Sequence, residues 1–424
     1  MVKVLISIMH KYCNTLYNSI MRLAYQYRLL PTSDQQATLN RWLDMLRHQY
    51  NWLLADRFDW WEMNRCAVNS CPLVCSIAEP REQPDYYNQK RSLVGLKQDR
   101  PWYKEIHSQV LQDMVKRVKL AFDRYLKGDC NGKRSGKPRF KGANRYRSFT
   151  YPQASIDWID GSRIELPKIG AVKVIWHRPL PAGFEVKSAI ITHKADGWYV
   201  TLSLQDDSVP ESTPDVDWDN AVGIDLGLKD FLVTSNDERV SVPQHFRKAQ
   251  KKLAKLQRSV ARKQKGSNRR KKAVNRVAKL HLKVARQRKD FHFKVWSWLL
   301  EKYDVIIHEK LNIKGLAKSR LAKSVLDAGW GQFLEIGESK AERAGKLTVP
   351  ENPNGTSIDC SGCGEKVPKT LADRVHECPV CGLFLCRDLN AAINIKKRAV
   401  GRTVQALRGD RDTEPKKREA RAVA

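Results

Sequence analysis

The chain has 424 residues and carries 77 Lys and Arg against 46 Asp and Glu, a net charge of +31. With 42% hydrophobic residues and 12 Trp it has enough apolar material to fold, so wholesale disorder is excluded, and its length fits roughly two to four domains. No apolar run approaches the ~20 residues of a bilayer span. So large a positive charge needs a polyanion close by, which makes nucleic acid the leading partner.

The apolar stretch Val4–Met9 is too short for a signal core and has no cleavage site behind it. Residues 1–20 therefore read as an extension, and the expected location is the reducing bacterial cytoplasm, at the nucleoid when DNA is bound. Leu23, Tyr25, Tyr27 and Leu29 alternate as in a strand. Pro31, Thr32 and Ser33 supply a turn and an N-cap for a helix reaching about Trp61. Residues 62–84 carry three cysteines and little periodicity, the mark of a loop, and no role is assigned to them. Ile106, Val110, Leu111, Met114, Val118 and Phe122 then share one helix face. The segment Gly132–Arg147 is rich in Gly, Lys and Arg, with Phe140 and Tyr146 interleaved. Short alternating runs follow at 163–166, 171–176, 188–193 and 198–203, as in a small antiparallel barrel. The acidic stretch Asp206–Asp219 reads as a linker.

Beyond it, Ala221–Gly227 reads as a buried strand and Asp230–Ser235 as its hairpin partner. Residues 247–289 contain 19 Lys or Arg and no Asp or Glu, with an apolar stripe through Leu253, Leu256, Val260, Val277, Leu280 and Val284. This predicts a basic helical hairpin turning at Lys265–Asn268. Charged faces are ordinarily just solvated, but a run with no acidic partner gains nothing from ion pairs, so a phosphate-facing surface through Lys251, Lys255, Arg258 and Arg262 is the better reading. A helix over Phe291–Lys302, a buried strand over Asp304–Glu309, a helix over 324–347, a cysteine module and a helix start at Arg387 complete the pattern. The polar tail after Ala399 is expected to be disordered.

Cys360, Cys363, Cys378 and Cys381 form a C-x2-C…C-x2-C set. Gly362, Gly364 and Gly382 let each knuckle turn its amides toward sulfur. Four thiolates closing a tetrahedron leave no open position, so the expected ion is a structural zinc. Iron would suit the same donors, but no redox role is indicated. Cys66, Cys71 and Cys75 lack a fourth ligand.

Three carboxylates end segments expected to be buried: Asp225 after an apolar strand, Glu309 at the end of another, and Asp388 opening a helix after the cysteines. Converging carboxylates repel unless cations sit between them, and hard oxygen donors select Mg²⁺ or Mn²⁺. Two such ions would suit phosphodiester hydrolysis, and the element order is that of a ribonuclease H-like sheet.

Gly223-Ile224-Asp225-Leu226-Gly227, Ile306–Glu309, Asp327-Ala328-Gly329-Trp330-Gly331, the four cysteines and Arg387-Asp388-x-Asn390-Ala391-Ala392-x-Asn394-Ile395, in this order, resemble the TnpB family. These are transposon-encoded RNA-guided DNA nucleases related to compact type V CRISPR effectors. The resemblance covers residues 21 to about 398. It implies an α+β multidomain chain: a wedge β-barrel (21–35 and 130–218) with an inserted helical recognition lobe (36–129), a RuvC nuclease domain (219–350 and 387–402), an inserted zinc-ribbon target-binding module (351–386), and a basic tail (403–424). Asp225, Glu309 and Asp388 would hold Mg²⁺ or Mn²⁺ and the four cysteines zinc. A guide RNA would pair with double-stranded target DNA, with one protein chain on one guide favoured. Tyr86, Ser108, Gln109, Gln112, Thr150 and Tyr151 are implied as readers of a target-adjacent motif, since amide and hydroxyl groups suit base edges. Two features depart from the pattern: Cys386 stands where relatives often carry an acid, and residues 62–84 lengthen the recognition lobe. A DDE-type transposase shares fold and metals, but two features argue against it: a zinc module stands between the second and third acids, and no dedicated end-binding helix-turn-helix is evident. A non-cleaving RNA-guided repressor would have lost an acid, whereas all three remain.

Overall fold

A computed structural model describes residues 21–65, 82–129, 132–206, 216–370 and 373–411. The expected extension 1–20, most of the cysteine stretch 62–84, most of the acidic linker and residues 412–424 lie outside the described residues, while residues 400–411, expected to be disordered, instead continue the helix that starts at Arg387. The chain divides into two compact units, residues 1–211 and 212–424.

In the first unit, β1 (Met21–Leu30) leads into α1 (Ser33–Arg65), followed by α2 (Tyr86–Asp99), a short 3-10 turn and α3 (Ser108–Leu126). Six more strands follow: β2 (Ser148–Tyr151), β3 (Ile159–Asp160), β4 (Arg163–Leu166), β5 (Gly170–Ile175), β6 (Glu185–Lys194) and β7 (Gly197–Asp206). They form one antiparallel sheet in the order β2-β6-β7-β1-β5-β4-β3. The expected barrel is instead a curled half-barrel. Its two edge strands are only four and two residues long, too short to pair and close it. Trp42 of α1 meets Phe149 of β2 in the shared core, with ring centres 5.6 Å apart. The basic segment after Gly132 is laid along α1. Asn51 accepts from the Lys141 amide at 2.7 Å and donates to the Lys141 carbonyl at 2.9 Å, and Lys137 stands 4.4 Å over the Phe58 ring.

The second unit holds β8 (Ala221–Leu226), β9 (Asp230–Thr234), β10 (Arg239–Ser241), α4 (His245–Ala261), α5 (Asn268–Lys302), β11 (Val305–Glu309), a single turn α6 (Ile313–Leu316), α7 (Ala322–Ala328), α8 (Trp330–Arg343), β12 (Leu347–Glu351), β13 (Val375–Glu377), β14 (Phe384–Cys386) and α9 (Arg387–Arg411). The sheet order is β10-β9-β8-β11-β12, with the hairpin strands antiparallel and β8, β11 and β12 parallel. The basic hairpin forms, but its second arm is one continuous helix to Lys302, because nothing between Lys289 and Phe291 breaks it. The helix expected over 324–347 divides at Gly329, whose φ of 70° lies in the left-handed region. Helix α9 covers one face of the sheet, where Ile395 and Ala399 pack on Ala221, Val305 and Ile307. Helices α5, α7 and α8 cover the other through Trp296, Ala328 and Phe333.

Candidate active site

Gly223 sets how closely α9 approaches β8. A Cβ at this position would lie 2.2 Å from the Ala392 carbonyl oxygen and 2.8 Å from the Lys396 amide, so only glycine permits the contact. That approach brings the first turn of α9, with Asp388, to the carboxyl end of β8. The parallel register pairs Glu309 with Glu351 and His308 with Ile224, so Asp225, next after Ile224, stands beside Glu309. Alternation from Ala221, Val305 and Val349 places Asp225, Glu309 and Glu351 on the face that α9 covers.

Burial, then the negative charges of Glu309 and Asp388, push the Asp225 carboxyl up to about 8; the Arg387 guanidinium and the Leu226 amide pull against them. Burial also raises Glu309, opposed by the Thr356 hydroxyl and the Arg398 charge. Arg387 Nε lies 3.4 Å from Asp388 Oδ1. The structure thus brings together three acids from three separate segments in one electrostatic neighbourhood. They do not close on one another as the sulfurs do. Among the described residues, only Cys360, Cys363, Cys378 and Cys381 form a group of three or more ligand atoms all within 4.8 Å of one another.

The cysteine cluster is built from two equal halves. The amides of Gly364 and Gly382 each donate at 2.9 Å to the carbonyls of Cys360 and Cys378, and both glycines have positive φ. Cys360 and Cys381 sulfurs lie 3.6 Å apart, as do those of Cys363 and Cys378. Those spacings match a tetrahedron of sulfurs about an ion with ~2.3 Å bonds, so the cluster is consistent with a structural zinc site. Burial raises the Cys360 thiol, but the amides of Cys363 and Gly362 outweigh it and bring the group down to about 5, while Cys363 is pushed up to about 12. Four sulfurs packed this closely need a cation before all can ionise.

The nucleic-acid candidates fall into three groups. Lys251, Lys255, Arg258 and Arg262 are exposed on α4, whose other face buries Leu253. Ser108 and Gln112 line an open cavity of about 750 Å³ with Tyr87, Lys90 and Lys97. Gln109 hydrogen-bonds Gln153, Thr150 accepts from Arg117, and Tyr86 is half-buried at the start of α2. Tyr151 is corrected: it is fully buried in the core and its hydroxyl donates to the Pro167 carbonyl at 3.0 Å, so it offers nothing to a base. Phe149 and Tyr151 are both buried while Ser148 and Thr150 are half-buried, and this alternation of polar and aromatic residues along β2 was the available signal.

Sequence reading did not find Glu351 or Thr356. Glu351 is 2% exposed on the rung of Asp225 and Glu309, and Thr356 donates to Glu309 Oε1 at 2.6 Å. Cys386, half-buried at the end of β14, precedes α9 directly.

Three family models match in chain order: a "Helix-turn-helix domain" of the OrfB_IS605 type over residues 21–66, OrfB_IS605, "Probable transposase", over 204–320, and "Cas12f1-like, TNB domain" over 330–395. A "Putative RNA-guided DNA endonuclease" of Streptomyces pristinaespiralis is 29% identical over 379 residues, 88% of either chain. "TnpB-like protein L79" of Acanthamoeba polyphaga mimivirus is 33% identical over 223 residues, 46% of this chain and 43% of the viral one. The chain is thus similar to proteins of the TnpB family, and the helix-turn-helix match corrects the expectation that no such domain is evident. A solved structure of "the mini-RNA-guided endonuclease CRISPR-Cas_phi3" shares the fold, with a TM-score of 0.51 at 10% identity over 92% of this chain and 94% of the other. The four cysteines and Asp388 lie within the TNB match, and Asp225 and Glu309 within the OrfB_IS605 match. No helix among the described residues is long and apolar enough to cross a membrane.

Proposed function

We propose that this protein is an RNA-guided DNA endonuclease that hydrolyses target DNA at a divalent-cation site made by Asp225, Glu309 and Asp388. The observation that carries the reading is the state of Asp225. Its carboxyl is held neutral up to about pH 8 by burial and by the two acids beside it, and a cation among them would relieve that repulsion. An all-oxygen donor set of three carboxylates fits Mg²⁺ or Mn²⁺. When bound, such ions supply the charge that activates the attacking water and stabilises the leaving oxygen of a phosphodiester. The strand order supports a ribonuclease H-like, RuvC-type nuclease domain, with the cysteine module as a zinc ribbon inserted before the third acid. The half-barrel and α1 to α3 would form the wedge domain and recognition lobe, and a guide RNA and target duplex would lie on the basic surfaces. Relatives named as RNA-guided DNA endonucleases support the same reading.

Asp225→Ala is expected to abolish cleavage of a guide-matched plasmid while guide-dependent target binding persists. The assay reads three outcomes: persistent cutting refutes the ligand assignment, joined rather than hydrolysed ends identify a transposase, and binding without cleavage by the unsubstituted chain identifies a repressor.

A further inference from the structure

The turn between β12 and the first cysteine knuckle is held with unusual completeness. Asn390 and Asn394 of α9 both donate to the Asp359 carbonyl, at 2.9 and 2.7 Å, and Asn394 also donates to the Thr356 carbonyl at 2.9 Å. The Asn390 carbonyl oxygen accepts from the Ser361 amide at 2.9 Å, inside the knuckle itself. One helical turn further on, Arg398 pairs with the Asp359 carboxylate at 2.5 Å and donates to the Asn354 carbonyl at 2.7 Å. Asn390, Thr356 and Asn394 are buried, so these bonds are sheltered from water, where each is harder to exchange.

This framework presents one hydroxyl. Thr356 Oγ1 lies 2.6 Å from Glu309 Oε1 and 3.1 Å from the Pro353 carbonyl, and its single proton goes to the shorter, charged acceptor. We infer that Thr356 is a positioning residue: it holds one oxygen of Glu309 so that the other is presented to the divalent cation, and the cysteine module, through α9, fixes where that hydroxyl stands. The inference rests on the proposed nuclease reading. Within it, the inserted metal module does more than hold itself together, because its first knuckle and the carboxylate share the same eight-residue turn and the same asparagines. A hydrogen-bond donor behind a metal-binding carboxylate fixes its orientation, and removing one of this kind costs about 10–100-fold in metal affinity or activity.

The test compares Thr356→Val, which keeps the shape and removes the hydroxyl, with Thr356→Ser, which keeps the hydroxyl. Mn²⁺ binding to the zinc-loaded protein is followed by electron paramagnetic resonance, alongside zinc content and the Mg²⁺ dependence of target cleavage. The valine variant is expected to bind Mn²⁺ about tenfold more weakly with zinc retained, and the serine variant to match the unsubstituted chain within about threefold. Asn394→Asp, which removes the amide donor beneath the turn while leaving Thr356 in place, should weaken Mn²⁺ binding in the same direction and covers the case of an unstable valine variant. Unchanged Mn²⁺ binding and cleavage in both Thr356→Val and Asn394→Asp overturns the inference, as does a serine variant as impaired as the valine one. Asp225→Ala separates the two levels: if it leaves Mn²⁺ binding intact, the nuclease site itself has been misplaced, whatever Thr356 does.

Discussion

The two ligand sets of the second unit handle charge in opposite ways. The four cysteines come from one short segment, and each pair carries its own amide donors, including the Gly362 amide 3.4 Å from the Cys360 sulfur. Those amides hold the Cys360 thiol below its ordinary value despite its burial. The carboxylates come from β8, β11 and α9, and Asp225 has only the Leu226 amide and the Arg387 charge to offset burial and two like charges. The sulfur set is a folding unit that wants its ion to exist. The oxygen set is assembled by the rest of the fold and stays frustrated without one. Substitution should consequently push stability in opposite directions at the two sites.

The largest effect belongs to the sulfurs. Cys378→Ser removes a buried ligand, and zinc binding supplies on the order of 10 kcal/mol to modules of this type. Elemental analysis should find the zinc gone, and hydrogen exchange should find β13 and β14 unprotected. Full zinc content with intact protection would break the contrast at its first term.

Asp225→Asn should do the reverse in metal-free protein. An ordinary aspartate ionises near 3.8 and this one near 8, so between those values the unfolded chain has lost a proton that the folded chain keeps. Stability from this group is present at low pH and drains away as pH rises toward 8. The asparagine variant escapes that loss and should be more stable at pH 8 by roughly 4 kcal/mol, after discounting for partial exposure. Urea melts in chelator at pH 5 and pH 8 measure it; a variant that is less stable than its parent at both values refutes the crowding of the three acids.

The same contrast explains what could be read in advance. The cysteine set is a spacing within 22 residues, visible in the chain itself, and Asp225 and Glu309 each close an apolar run of the right length. Glu351 stayed hidden because Pro350 breaks the strand pattern of Leu347–Glu351; it is tolerated because β12 is the edge of the sheet, where a missing amide leaves no partner unpaired. Thr356 could not be found at all, since its meaning comes from Glu309, 47 positions away. Asn390 and Asn394 stood in a recognisable motif, yet their role as clamps on Asp359 exists only once α9 has docked. In the first unit no strand was expected over Ser148–Tyr151, so the alternation that holds Phe149 and Tyr151 inside went unread, and Tyr151 entered only through the resemblance.

Burial acting without an acidic cluster is seen at His292, which lies among Phe231, Phe291 and Phe333 with Nε2 2.9 Å from the Ala328 carbonyl. Burial lowers it to about 4, with Arg288 and His245 adding to the shift and the Ala328 bond opposing it. As pH falls below about 6.5 the unfolded chain takes up a proton that the folded chain refuses until about 4. The contribution of His292 to stability should therefore decline across that window, by about 3 kcal/mol in all. Asp225 sets an opposite slope over the same range, so His292→Gln should unmask it and make stability fall as pH rises from about 4 to 6.5, and a profile unchanged by the substitution would refute the burial of His292 as the cause.

The smallest effect sits where charge is fully solvated. Lys251, Lys255, Arg258 and Arg262 repeat at helical spacing on the exposed side of α4, while Leu253 is buried on the other. Exposed charges are screened within about 8 Å at physiological salt, so their contribution to stability is slight, and replacing all four by alanine should leave the melting curve alone. Nucleic acid changes this, because each phosphate neutralised releases a counterion and steepens the dependence of affinity on salt. If the face meets a backbone, the quadruple variant should lower the slope of log affinity against log salt by roughly 3. If the face is merely hydrated, the slope stays put while the affinity drifts only with net charge. The slope therefore isolates contact from general attraction, which a single binding constant cannot do.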